Sequence, residues 1–202
     1  MIPKDWSEVD IELFVKLYPT FKDETLTDSQ IIDNKIKQLS IIKNISLEDA
    51  SLCTTKEAHK VKELLTKEMP TKIVEKFKLN GVTYRFNIDA NDLDAGGYVG
   101  VMNAIKDDPI KNMHVSIFNL ATPIKLTVKG WVDYEFKHSE VGDRMNDFKK
   151  LPLNIAYPIS VFFLNLLENL TPVMEDYLSK SLEKMSKELD KTKEDLLNGD
   201  GQ

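Results

Sequence analysis

The sequence predicts an α+β protein: a mainly helical domain that carries one antiparallel β-hairpin, or a small sheet, and ends in a long C-terminal amphipathic helix. Three observations predict this. Apolar residues recur at three- and four-residue steps through most of the chain, the period of a helix with one buried face. Two runs of β-forming residues flank Asn80-Gly81, a pair that accepts the positive φ of a tight hairpin turn. A strict four-three stripe of apolar residues lies near the C-terminus. The expected organisation is a mainly helical domain over 1–170 with its hairpin at 74–88, a coiled-coil-like helix over 171–197 and a frayed tail over 198–202.

Each element has its own local cause. Ser7 or Asp10 can cap a first helix that puts Ile11, Phe14, Leu17 and Tyr18 on one face, and Pro19 breaks it. Asp28 or Ser29 opens a second helix with the stripe Ile32, Ile36, Leu39 and Ile42. Ser46-Leu47-Glu48-Asp49 has capping-box spacing and starts a short third helix. Thr54 or Thr55 starts a fourth, carrying Ala58, Val61, Leu64 and Leu65 and ending before Pro70. The hairpin follows, with Phe77, Leu79, Val82, Tyr84 and Phe86 as its strand formers.

Asp92 or Asp94 caps the next helix, whose face is Tyr98, Val101, Met102 and Ile105. Asp108-Pro109 predicts a helix to about Ala121, closed by Pro123. From Ile124 to Phe136 the alternation is irregular, with a weaker turn signal at Lys129-Gly130. Ser139 starts a helix with Met145 and Phe148, and an apolar core helix follows from about Leu153. Thr171-Pro172 opens the last helix, whose seam is Leu178, Leu182, Met185, Leu189 and Leu196 with Thr192 completing the rhythm. Charged residues flank that seam, which marks it as a candidate partner-binding surface.

Composition narrows the function. A net charge of −6 argues against general nucleic-acid binding, which needs clustered cations to neutralise phosphate. A single cysteine, Cys53, excludes an intramolecular disulfide and fits a reducing compartment. No apolar signal region follows Met1, so secretion is not expected. The most apolar stretch, Leu151 to Leu167, is broken by Pro152, Asn154, Pro158 and Asn165, so a buried helix is expected there and not a membrane span.

No candidate motif for chemistry survives its spacing test. Ala95-Gly96-Gly97-Tyr98-Val99-Gly100 matches neither a dinucleotide fingerprint nor a P-loop, and reads as a tight turn packing its helix against the hairpin. Asp89, Asn91, Asp92 and Asp94 fail the calcium-loop pattern, because its fifth and twelfth positions fall on Leu93 and Gly100. His59, His114 and His138 are too dispersed to suggest a zinc site, and Cys53 has no neighbouring cation in sequence to activate it. Seven lysines between Lys56 and Lys78 lack interleaved aromatics and read as a solvated face. The expectation is therefore a non-enzyme with no cofactor, no metal and no catalytic residue. A small enzyme whose site assembles from distant residues, and a nucleic-acid accessory protein using the Lys56 to Lys78 face, are the alternatives.

Five patterns, in order, carry a resemblance. They are Trp6-x-x-Val9-x-Ile11-x-x-Phe14; Phe77-x-Leu79-Asn80-Gly81-x-x-Tyr84-x-Phe86; Leu93-x-Ala95-Gly96-x-Tyr98; His114-x-x-x-Phe118-x-Leu120-Ala121-x-Pro123; and Leu151-Pro152 followed by Val161-Phe162-Phe163-Leu164-x-Leu166. Over about residues 5 to 170 the chain resembles proteins of tailed-bacteriophage structural gene clusters, especially of phages of Bacteroidetes, labelled tail assembly chaperones or virion proteins. It departs from that pattern at Gly97 and Gly100, where the family often has Gln and an acidic residue. The resemblance implies a bacteriophage structural or assembly protein in the host cytoplasm, the virion or both. Its expected partners are other phage structural proteins such as tape-measure or tail components. Self-association through the C-terminal helix is also expected, and neither nucleic acid nor membrane is.

Overall fold

The computed structural model describes residues 1–21, 27–86 and 95–166. The chain divides into two units, Met1–Ser160 and Val161–Gln202, and the described part of the second, 161–166, is helical. The α+β class is the expected one: the described residues form eight α-helices and one four-stranded antiparallel sheet.

The first four helices start where capping chemistry places them. Asp10 accepts the Leu13 amide at 2.8 Å and opens α1 (Ile11–Leu17), which buries Ile11, Phe14 and Leu17. Thr27 and Gln30 form a reciprocal capping box before α2 (Asp28–Lys43). Only the C-terminal half of the α2 stripe is buried, at Leu39 and Ile42, while Ile32 stays 57% exposed. The helix therefore extends beyond the core that its last turns cover. Ser46 caps α3 (Leu47–Ser51), and Thr54 with Glu57 forms a second capping box at α4 (Thr55–Leu65).

The sheet begins with β1 (Lys76–Leu79) and β2 (Val82–Phe86), joined by Asn80 at φ 45° and Gly81 at φ 81°, the two positive angles of the expected turn. Helices α5 (Ala95–Asp107) and α6 (Met113–Asn119) separate this hairpin from β3 (Ala121–Thr127) and β4 (Gly130–Asp133). All four strands pair in sequence order, so the weaker turn signal at Lys129-Gly130 is a true hairpin and the first hairpin belongs to a larger sheet. Beyond β4 lie α7 (Val141–Asp147) and α8, which begins at 153 and runs to 166, the last described residue.

Three local expectations are corrected. The helix expected from Pro109 starts only at Met113, because Asn112 at φ −95° and ψ 12° leaves the helical region. The Asp108 carboxylate still caps, accepting the Ile110 and Lys111 amides at 3.1 and 3.0 Å, but it caps a turn. Pro123 does not close that helix; it sits inside β3 opposite Tyr84. Its carbonyl accepts from the Tyr134 amide at 3.1 Å, and the return bond that proline cannot donate falls one residue past the end of β4 at Asp133, where its loss interrupts no paired strand. The glycine cluster is no turn against the hairpin: 95–100 are helical, and Gly100 approaches Asn119 of α6.

Phe148 packs against the inner face of the sheet. It is fully buried and stands edge-on to Tyr84 and Phe118, with centroids 5.0 and 5.4 Å away. Beside it the N-terminal segment pairs with residues 151–153: Ile11 donates to the Leu151 carbonyl at 3.1 Å and Leu153 to that of Val9 at 2.7 Å. Val9, Leu151, Leu153 and Ala156 are 0% exposed, so this closure is part of the core.

Candidate interaction surface

The candidate partner-binding residues Leu178, Leu182, Met185, Leu189 and Leu196 lie outside the described residues. Among those described, two features stand out: the outer face of the sheet and a cleft beside α4.

Register decides what the outer face carries. Residues directly opposite one another in an antiparallel pair point to the same side. Phe77, Leu79, Tyr84 and Phe86 are buried, so the pairings put Lys76, Lys78, Thr83, Arg85, Ile124, Leu126, Trp131 and Asp133 on the other side. Leu126 is 67% exposed and Trp131 47%, and they are direct cross-strand partners. Val128, in the β3–β4 turn, is fully exposed. Large apolar residues grouped in this way on an ordered sheet are unusual on a surface that contacts only water.

Cations frame this apolar group. The Lys76 ammonium lies 5.4 Å from the centre of the Trp131 ring, although two strands separate them. Their side chains reach toward each other across the face, and Ile124 on the same face is only 3% exposed. Arg85 pairs with Asp133 at 3.2 Å, whereas Lys78 and Lys129 have no ion pair among the described residues. At one end, Gly81, Thr83, Ile124, Leu126 and Trp131 line a shallow depression of about 400 Å³. A Cβ on Gly81 would meet nothing within 4 Å, so the space beside this residue is open.

Sequence reading missed these residues. Ile124, Leu126 and Val128 alternate with Lys125, Thr127 and Lys129, a pattern that ordinarily places the apolar set on the core side. Only the cross-strand register shows that the set faces outward. The Lys56 to Lys78 run is likewise nearer an aromatic than its sequence suggests, because folding brings Trp131 to Lys76.

The cleft holds about 780 Å³ between the N-terminal residues and α4, with Lys43, Glu57, Lys60 and Lys67 among its lining. Lys43 ends α2 and reaches Glu57 at the start of α4, at 2.7 Å. That contact, with the Thr54 amide and hydroxyl, holds the Glu57 carboxyl down at about 2, and Glu57 with Cys53 raises Lys43. Lys43 also lies 3.2 Å from the Cys53 sulfur. The expectation that Cys53 has no cation beside it is thus corrected: the fold supplies one from ten residues away. Cys53 does not line the cleft, and its thiol donates to the Asp49 carbonyl at 3.6 Å, so the group ties α2 to α4. His114, half-buried, is lowered by that burial and by Lys149; His59 sits 3.4 Å from Glu63.

Among the described residues no group of His, Cys, Asp and Glu is arranged to hold a metal ion, and no helix is long and apolar enough to cross a membrane. No protein-family model, curated protein or solved structure matches this chain.

Proposed function

We propose that this chain is a non-catalytic structural or assembly protein of a tailed bacteriophage, a tail assembly chaperone or a virion component, that works by binding other proteins. The observation that carries the protein-binding part is the exposed set Leu126, Val128 and Trp131 on a sheet whose opposite face buries Phe77, Leu79, Tyr84 and Phe86. An apolar group held rigidly in solvent gains by being covered, at about 25 cal/mol for each Å² removed from water. The phage assignment rests on the five sequence patterns given above. The seam Leu178, Leu182, Met185, Leu189 and Leu196 supplies a second binding element in this reading, for a tail or tape-measure protein or another copy of the chain.

Mass spectrometry of purified virions, together with affinity capture from infected cells, tests the reading. Peptides of this chain in the virion identify a resident component. Capture of a tail-tube or tape-measure protein without virion residence identifies a chaperone. A coding position away from a tail gene module, with neither result, removes the proposal.

A further inference from the structure

We infer that the outer face of the sheet is a docking site for an acidic protein segment that presents an aliphatic or aromatic anchor. The inference rests on the reading that this chain acts by binding proteins, and it names the chemistry of one partner. The outer face carries Lys76, Lys78 and Arg85, and the β3–β4 turn adds Lys129, against one acid, Asp133. That is a net +3 in a chain whose overall net is −6, so the remainder carries −9. Opposite potentials on two partners steer association and suppress wrong ones. An acidic segment fits the sheet and is repelled by the rest of the molecule.

The apolar part chooses the class of partner. The notch beside Gly81, walled by Ile124, Leu126 and Trp131, has a volume of about 400 Å³, within the range of sites that seat side chains or small ligands. Its walls combine the aliphatic side chains of Val82, Ile124 and Leu126 with the rings of Trp131 and Tyr134, a lining that suits an aliphatic or aromatic side chain. The single exposed indole already carries Lys76 near its ring, which leaves that ring less open to a stacked nucleobase. A second copy of the chain joined face to face would set Lys76, Lys78 and Arg85 against like charges and is disfavoured. The anchor therefore fills the notch while carboxylates of the segment reach Lys76, Lys78 and Lys129.

The test uses the full chain labelled with ¹⁵N. Its two indole signals, from buried Trp6 and exposed Trp131, are assigned with Trp131→Phe. The probe is a capped synthetic peptide of about ten residues alternating Glu with Leu and carrying a central Phe, a length that spans a short strand. Matched peptides replace every Glu by Lys, or every apolar residue by Ser, and an oligothymidine of about twelve nucleotides covers nucleic acid. The expected result is a saturable shift of the Trp131 indole alone, with affinity falling about fivefold or more in Lys76→Glu/Lys78→Glu and in high salt. No Trp131 shift at ~1 mM peptide, equal binding of the Lys or Ser peptide, or tighter binding of the oligonucleotide would overturn the docking site; the millimolar ceiling corresponds to only about 4 kcal/mol of binding. So would a dimer, seen by light scattering, that Trp131→Ala dissolves. If Trp131→Ala and Lys76→Glu chains still capture their tail partner from infected cells, this face is wrong while the protein-binding reading stands. If the unaltered chain captures none, the broader reading fails first.

Discussion

The Lys150 ammonium lies 2.6 Å from a carboxylate oxygen of Glu12, joining two residues 138 positions apart in sequence. It flanks the backbone bonds that pair residues 9–11 with 151–153, and the same ammonium is 3.5 Å from Asp10, the cap of α1. One charged side chain thus serves a helix cap and the closure of the chain on itself.

The ion pair sets an acid limit. Lys150, and after it Lys16, holds the Glu12 carboxyl down at about 2, against an ordinary value of 4.5. A carboxylate lowered by folding adds stability above its unfolded pKa and loses it as pH falls through the folded one. Urea unfolding of Glu12→Gln beside the unaltered chain should therefore show a deficit at pH 7 that shrinks between about pH 4.5 and 2. Glu57→Gln should behave alike, since Lys43 and Thr54 hold Glu57 at about 2. Exposed pairs are worth little, so both deficits should be small. A deficit that grows on acidification would contradict the assigned charge states.

Gly81, at φ 81°, tests the first turn. A β-branched side chain at positive φ is strained by about 1–3 kcal/mol, although a Cβ there meets no neighbour. Gly81→Val should lower stability by that amount through the backbone alone, and Gly81→Asn by much less. Equal melting temperatures for all three chains would refute the turn geometry.

Gly100 is needed for space and not for φ. A Cβ there would lie 2.9 Å from Asn119 Oδ1, and that amide is held by its bond to the Val115 carbonyl at 2.8 Å. Alanine gains about 1 kcal/mol of helix propensity but must push the amide aside, at about the same cost. Gly100→Ala alone should be nearly neutral, yet stabilising by about 0.5–1 kcal/mol in an Asn119→Ala background. A double-mutant cycle without coupling would show that the two helices do not meet at this point.

These cases mark what could be read in advance. Caps and the Asn80-Gly81 turn depend on neighbours within four residues, so Asp10, Thr54 and the first hairpin were legible in the sequence. Pro123 was misread because its tolerance depends on where β4 ends, a fact of strand register. Leu126 and Trp131 were missed for a related reason: alternation shows that a strand has two faces, and only its partners show which face is covered. Cys53 gained its cation from another helix, which no spacing rule reports.

Phe148 should be the costliest single position on the inner face. Its ring is 0% exposed and meets Phe77, Tyr84 and Phe118 edge-on. Removing a buried aromatic leaves a cavity that the rest of the core closes only in part, so Phe148→Ala should cost about 3–5 kcal/mol. Leu126→Ala, on the opposite face, should change stability by about 0.5 kcal/mol or less. Similar losses at both positions in chemical denaturation would mean that the outer face is covered in the isolated chain.

The last prediction separates the C-terminal seam from the core. Leu178, Leu182, Met185, Leu189 and Leu196 follow the four-three rhythm with charges on both flanks, a narrower stripe than core helices usually carry. An isolated helix of this length is marginal in water, so its stripe needs a covering surface. If that surface is a partner, Leu182→Asp with Leu189→Asp should abolish self-association or capture of the tail protein and leave the 1–166 fold intact. Circular dichroism and light scattering on the double variant, and on a chain ending at Pro172, read the two effects independently. The fold of 1–160 has its own closure, from Val9 to Leu153, and should survive both changes. Loss of cooperative unfolding in both variants would instead assign the seam to the chain's own core and leave the outer sheet face as the remaining candidate for partner binding.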